Sequence, residues 1–232
     1  MKYILLSVIA VLILLTFSKK ETEMMPLSTE DTILTFGDSL TFGYGAKTDE
    51  SYPTLLAKYT GLRVINAGVN GDTSEAGLRR LGASLKDPSI KLTILFMGGN
   101  DIILKRSMQD LKENLRSMIK MAKEKQIDVL LISVPNVTLF GLSPIDLYEE
   151  LSKEEDVPLL SAMLADILSD PSLKIDQIHP NAKGYEKMAQ EIFKSLKRDT
   201  QNVKVSEEGY YCMFCMGCAE ERRKEEAKAS SR

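Results

Sequence analysis

A chain of 232 residues is long enough to bury one sizeable core, and nothing in it demands a second folded domain. A net charge of −3 leaves no basic surface for nucleic acid, so no nucleic-acid partner is expected. The one histidine, His179, excludes a multi-histidine metal site.

Lys2 precedes an apolar run from Ile4 to Phe17, interrupted by Ser7 and Thr16 and followed by Lys19-Lys20. At about 1.5 Å per residue the run is shorter than a ~30 Å hydrocarbon core, and Thr16 and Ser18 suit a cut after Ser18. Residues 1–18 are therefore expected to be a signal peptide or, left uncut, an N-terminal anchor tethering the chain to a membrane through residues 4–17. Export follows, to the periplasm or out of the cell. Residues 19–31 are polar, carry Pro26, and read as a linker.

From Thr32 onward strand-like and helix-like segments alternate, the pattern of a parallel sheet covered on both faces. Ile33, Leu34 and Phe36 make a short β-favouring run that breaks at Gly37-Asp38-Ser39, with Gly43 and Gly45 beyond. Such a turn lifts Ser39 to the carboxyl edge of the sheet, where α/β folds gather their ligands. The serine is then either a nucleophile or a plain helix cap. Helices are predicted over 51–59, 73–85, 107–125 and 181–196, and strands over 63–66, 92–97, 128–134 and 158–160. The longest helix carries a stripe of Met108, Leu111, Leu115, Met118, Ile119 and Ala122. Methionines on these faces are explained by packing and need no cofactor.

Three more stretches fall at strand ends. Asn70-Gly71-Asp72-Thr73-Ser74 opens a helix, and its backbone N–H groups can face an anion. Gly98-Gly99-Asn100-Asp101 leaves the backbone accessible and adds a neutral amide donor. Asp176-Gln177-Ile178-His179-Pro180 puts a carboxylate three residues before the histidine, close enough to hold Nδ1–H while Nε2 faces outward as a base. Singly, these also read as a helix cap, a glycine-rich turn and a surface carboxylate beside a satisfied histidine.

Taken together and in this order, the four blocks resemble the SGNH (GDSL) hydrolase family over roughly 32–198. Their wording is most similar to the bacterial branch of multifunctional thioesterases, arylesterases and lysophospholipases. The resemblance implies a flavodoxin-like three-layer α/β/α fold with a five-stranded parallel sheet. It implies that Ser39 attacks an ester or thioester carbonyl, that His179 is the base and then the acid, and that Asp176 orients it. The oxyanion hole would be the N–H groups of Ser39 and Gly71 with the side-chain amide of Asn100; no metal or cofactor is implied. Acyl transfer needs these same roles filled, and each has one good candidate here. No G-x-S-x-G occurs, so the usual α/β-hydrolase elbow is not the alternative. Asp38 and Asp72 read as turn and supporting residues.

Two regions depart from the family pattern. Between Pro135 and Pro158 the chain is short, and Leu139, Phe140 and Leu142 either line an apolar groove or simply pack. The tail, residues 199–232, holds Cys212, Cys215 and Cys218 in a C-x2-C-x2-C run without a fourth cysteine. It reads as a disordered appendage; outside the cytosol its cysteines would give one bridge and one remaining thiol. The leading expectation is a serine esterase acting on small or lipid-like acyl esters. A carbohydrate O-deacetylase using the same catalytic group, and a non-catalytic glycan- or lipid-binding module on this fold, are the alternatives. Oligomeric state is left open.

Overall fold

The computed structural model describes residues 26–138 and 141–196, with Val137 and Thr138 described by backbone alone. The expected leader, Leu139, Phe140 and the three cysteines of the tail lie outside the described residues.

Strand β1, Thr32–Gly37, has all six residues buried, as a run without polar alternation requires for a strand covered on both faces. It ends in the short helix α1, Ser39–Phe42. Helix α2, Tyr52–Thr60, carries Pro53 in its first turn, where the missing N–H costs nothing. Strand β2, Arg63–Gly68, leads into helix α3, Ser74–Ser84, which Thr73 caps by accepting the Ala76 N–H. Strand β3, Ile90–Phe96, is followed by α4, Gly99–Ile103, and α5, Met108–Lys123. Strand β4, Asp128–Ile132, precedes an antiparallel hairpin, β5 (Pro135–Thr138) and β6 (Gly141–Pro144). Helix α6, Asp146–Glu154, strand β7, Leu159–Leu160, and helices α7, Met163–Ser169, and α8, Ala182–Ser195, complete the fold.

The five-stranded sheet has the order β2-β1-β3-β4-β7 and every pairing is parallel. Helices α2 and α8 pack together on one face, and α3, α5 and α6 cover the other, giving three layers. The strand order reverses at β1, which therefore opens a crevice at its carboxyl end. The register aligns that end: Gly37 sits opposite both Gly68 of β2 and Phe96 of β3.

The anticipated elements are all present, with ends shifted by one to three residues where capping and pairing decide. Sequence reading missed four: α1 and α4, each only a turn or so long, the β5–β6 hairpin, and α7. One assignment needs correcting. Met108, placed on the apolar stripe of α5, is exposed, whereas Leu111, Leu115, Met118, Ile119 and Ala122 are buried. It is the first residue of the helix, where the stripe runs past the end of the core. Leu27, assigned to the linker, is buried against the core.

Candidate active site

The carboxyl end of β1 turns into α1 with almost no room to spare. A Cβ on Gly37 would lie 2.1 Å from Thr41 Oγ1 and 2.5 Å from the Phe96 carbonyl, so only glycine lets the turn seat itself. Asp38 caps the turn, its Oδ1 accepting the Leu40 N–H at 3.1 Å. Tyr52 bonds to Thr41 Oγ1 beneath it at 2.9 Å. This fixes Ser39 at the sheet edge.

His179 arrives from the loop that precedes α8. Its Nε2 is 3.1 Å from Ser39 Oγ, and its Nδ1 is 2.8 Å from Asp176 Oδ2. The other Asp176 oxygen accepts the backbone N–H groups of Ile178 and His179 at 2.8 and 2.7 Å. Partial burial pushes the Asp176 carboxyl up, but these two N–H bonds and the imidazole outweigh it, so the net shift is below the usual carboxylate value. Asp176 is thus held as an anion, suited to hold Nδ1 protonated and Nε2 free to accept a proton from the serine. The Tyr44 ring stacks obliquely on the imidazole, centroids 4.6 Å apart.

Facing Ser39 lie the β2–α3 and β3–α4 turns. Gly71 has a φ of +78°, a left-handed conformation that favours glycine. The N–H groups of Ser39 and Gly71 have no partner among the described residues. Asn100 Nδ2 donates to the Asp72 carbonyl at 2.9 Å and approaches Asp38 Oδ2 at 3.3 Å. The arrangement offers three N–H donors around one corner of the cleft, a geometry that can receive charge developing on a carbonyl oxygen. Burial pushes the Asp38 carboxyl up to about 6, against the Leu40 N–H bond and the nearby imidazole.

This donor side is held by residues that sequence reading did not single out. Arg80, on α3, donates from Nε to Asp72 Oδ2 at 2.6 Å, from Nη1 to the Ala67 carbonyl at 2.9 Å and from Nη2 to the Gly37 carbonyl at 2.8 Å. Its guanidinium lies 4.0 Å over the Phe36 ring. One side chain therefore ties the ends of β1 and β2 to the Gly71–Asp72 turn. Asp101, buried, accepts both the N–H and the hydroxyl of Ser74 and binds the Asn100 segment to the start of α3. An arginine within an amphipathic helix has no sequence signature separating it from a solvated one, so only the fold reveals Arg80.

From this corner a cleft of about 350 Å³ runs between α4, the hairpin and α7. Its walls include Ile102, Ile103, Val134, Leu142, Leu164 and Leu168. Leu142 does line the groove. Leu164 and Leu168 come from the helix that sequence reading missed. Among the described residues no group of acidic, histidine and cysteine side chains is placed to hold a metal ion.

A family model described as GDSL-like Lipase/Acylhydrolase family matches residues 35–187. The Escherichia coli K12 protein "Thioesterase 1/protease 1/lysophospholipase L1" is 32% identical over 174 residues, spanning 72% of this chain and 84% of that protein. The arylesterase of Vibrio mimicus is 28% identical over 178 residues, 71% of this chain and 89% of that one. Among solved structures, TesA superposes with a TM-score of 0.65 at 27% identity, covering 72% of this chain and 98% of its own. The psychrotrophic esterase EstA from Pseudoalteromonas, inhibited by monoethylphosphonate, superposes with a TM-score of 0.64 at 26% identity, covering 71% and 96%.

Proposed function

Since the chain belongs to the GDSL-like lipase/acylhydrolase family and is a serine ester hydrolase, we propose that it cleaves carboxylic esters or thioesters of apolar acyl chains through Ser39, His179 and Asp176. The observation that carries this reading is the unbroken line from Ser39 Oγ through the imidazole to Asp176, 3.1 and 2.8 Å. Ser39 Oγ attacks the acyl carbonyl carbon and passes its proton to His179 Nε2. The carbonyl oxygen, now carrying the charge, takes the N–H groups of Ser39 and Gly71 and the Asn100 amide. An oxyanion competes with the longer of the two Asn100 bonds, the 3.3 Å approach to Asp38, while the bond to Asp72 keeps the amide aimed. Collapse expels the alcohol or thiol, protonated by His179. Water, deprotonated by the same nitrogen, then releases the acid from the acyl-serine.

The substrate class follows from the walls of the cleft. Ile102, Val134, Leu142, Leu164 and Leu168 offer an acyl chain apolar contact and offer a sugar ring few hydrogen bonds, which favours acyl esters over acetylated carbohydrate. The reading includes export of the enzyme, resting on the apolar run at 4–17, and is checked by whether the mature protein begins near Lys19.

The decisive experiment uses the purified full chain and its Ser39→Ala variant. Both are assayed on p-nitrophenyl esters of increasing chain length, acyl-thioesters, lysophospholipid and acetylated sugars, and treated with a fluorophosphonate probe. Wild type should be labelled at Ser39 and prefer apolar acyl groups; Ser39→Ala should lose both labelling and turnover. Labelling elsewhere, or a preference for acetylated sugar, would overturn the reading.

A further inference from the structure

Exposed apolar side chains are not scattered over this molecule. Phe42 and Tyr44 follow β1, Val69 follows β2, and Ile103 and Leu104 close α4. Ile175 and Ile178 belong to the loop bearing His179, and Met108 begins α5 just beyond. These are all the large apolar side chains exposed among the described residues, and every one lies at the carboxyl edge of the sheet. The amino edge has none. Tyr44, Ile103 and Ile178 also line the cleft, so the apolar rim is continuous with the groove and encircles its mouth. Single exposed apolar residues are ordinary on a protein surface; a ring of them around one opening is not.

We propose that this rim docks onto a phospholipid surface, from which the acyl ester enters the cleft. The proposal takes its groove from the hydrolase reading above, and adds the surface that delivers the substrate. The position of the rim selects the occupant. A second copy or a soluble protein seated there would cover the opening above Ser39 and stop turnover, whereas a lipid surface is itself a source of substrate. Charge agrees. Lys105, exposed beside Leu104, has no ion-pair partner among the described residues and can meet a headgroup phosphate. The carboxylates nearest the mouth are already engaged, Asp72 by Arg80 and Asp176 by His179. The rim comes from separate short loops rather than from an amphipathic helix, so it would enter the interface as shallow prongs.

The chain has no tryptophan, which allows a direct test. In full-length Ser39→Ala protein a single reporter is introduced by Leu104→Trp at the rim, or by Lys86→Trp at the amino edge. Each protein is mixed with vesicles of phosphatidylcholine and phosphatidylglycerol, one set carrying brominated acyl chains. The rim reporter should shift to the blue and lose roughly half or more of its emission to the bromines, and the amino-edge reporter should do neither. In the active chain, Leu104→Ser with Lys105→Glu should lower hydrolysis of vesicle-borne lysophospholipid roughly tenfold, while soluble p-nitrophenyl acetate is cleaved within about twofold of wild type. No quenching at the rim overturns the proposal, as does equal quenching at both positions. So does a lipid-independent blue shift that grows with protein concentration, which would assign the rim to a second copy. Because binding is read in Ser39→Ala, its failure is separate from any failure of the hydrolase reading.

Discussion

The two halves of the site are built in opposite ways. On the donor side, Ser39, Gly71 and Asn100 come from three different turns, and long-range bonds hold them together. Arg80 reaches Gly37, Ala67 and Asp72, Asn100 reaches Asp72, and Asp101 reaches Ser74. On the base side, Asp176 and His179 sit three residues apart and hold each other. Asp176 accepts from its own loop, and the Ile175 N–H closes it onto the His179 carbonyl. The donor side is therefore part of how the sheet edge is assembled, and the base side is a local device set upon it. Damage to the first should couple activity to stability; damage to the second should not.

The largest effect should separate the two at once. His179→Ala is expected to lower kcat by about 10⁴-fold or more, with Tm within about 2 °C of wild type, because only bonds inside one loop are lost. A large fall in Tm would show that the loop is woven into the fold after all. Asn100→Ala comes next. It should lower kcat by roughly 10²–10³-fold with KM little changed, since the amide acts on charge present only in the transition state. Here Tm should fall too, by several degrees, because the Asp72 carbonyl and the Asp38 carboxylate both lose a donor. A strong rise in KM with kcat intact would make Asn100 a substrate-binding residue instead.

Arg80 tests the donor side without touching substrate. Arg80→Ala leaves the Gly37 and Ala67 carbonyls and the Asp72 carboxylate without its guanidinium, and should cost about 2–3 kcal/mol of stability. It should also lower kcat several-fold, through misplacement of Gly71 and Ser39, with KM nearly unchanged. Arg80→Lys, one cation on a flexible stem, should recover part of the stability and little of the kcat, because it cannot fill three directions at once. Equal recovery of both in the lysine variant would reduce Arg80 to an ordinary ion pair.

The same division decides what was legible in the sequence. Asp176 and His179 are neighbours in the chain, so their spacing alone foretold the contact. Ser39, Gly71 and Asn100 were legible because each ends a strand-like run, and parallel strands bring such ends to one edge. Arg80 was not: nothing in Gly77-Leu78-Arg79-Arg80 says which arginine turns inward, and only packing of α3 over Phe36 decides. The hairpin at Pro135–Pro144 was unreadable for another reason. It pairs only with itself and contains two prolines, which argue against a strand wherever a ladder N–H is needed. Helix α7 has seven residues, too few for its period to stand out, although Leu164 and Leu168 wall the cleft.

The smallest expected effect reads the comparison through pH, because each side holds one carboxylate and burial treats them differently. Asp38, on the donor side, is raised from 3.8 to about 6 in the folded chain. The folded state therefore binds this proton more tightly than the unfolded one. Its stabilising contribution is full below about pH 4, declines as pH rises, and is gone once pH passes about 6. The whole change amounts to about 3 kcal/mol, of which about 1 kcal/mol falls between about pH 5 and about pH 7. Asp176, on the base side, is lowered, so its contribution has the opposite sign: present above about pH 4 and lost as acid protonates it. Between about pH 5 and about pH 7 Asp176 is flat and only Asp38 changes. Urea unfolding across that window should show the difference between wild type and Asp38→Asn rising with pH in favour of the variant. Asparagine keeps an oxygen for the Leu40 N–H while removing the charge. Asp176→Asn should leave the slope in that window as it was and act on turnover instead. A slope that survived Asp38→Asn would mean that the donor side carries its buried charge elsewhere.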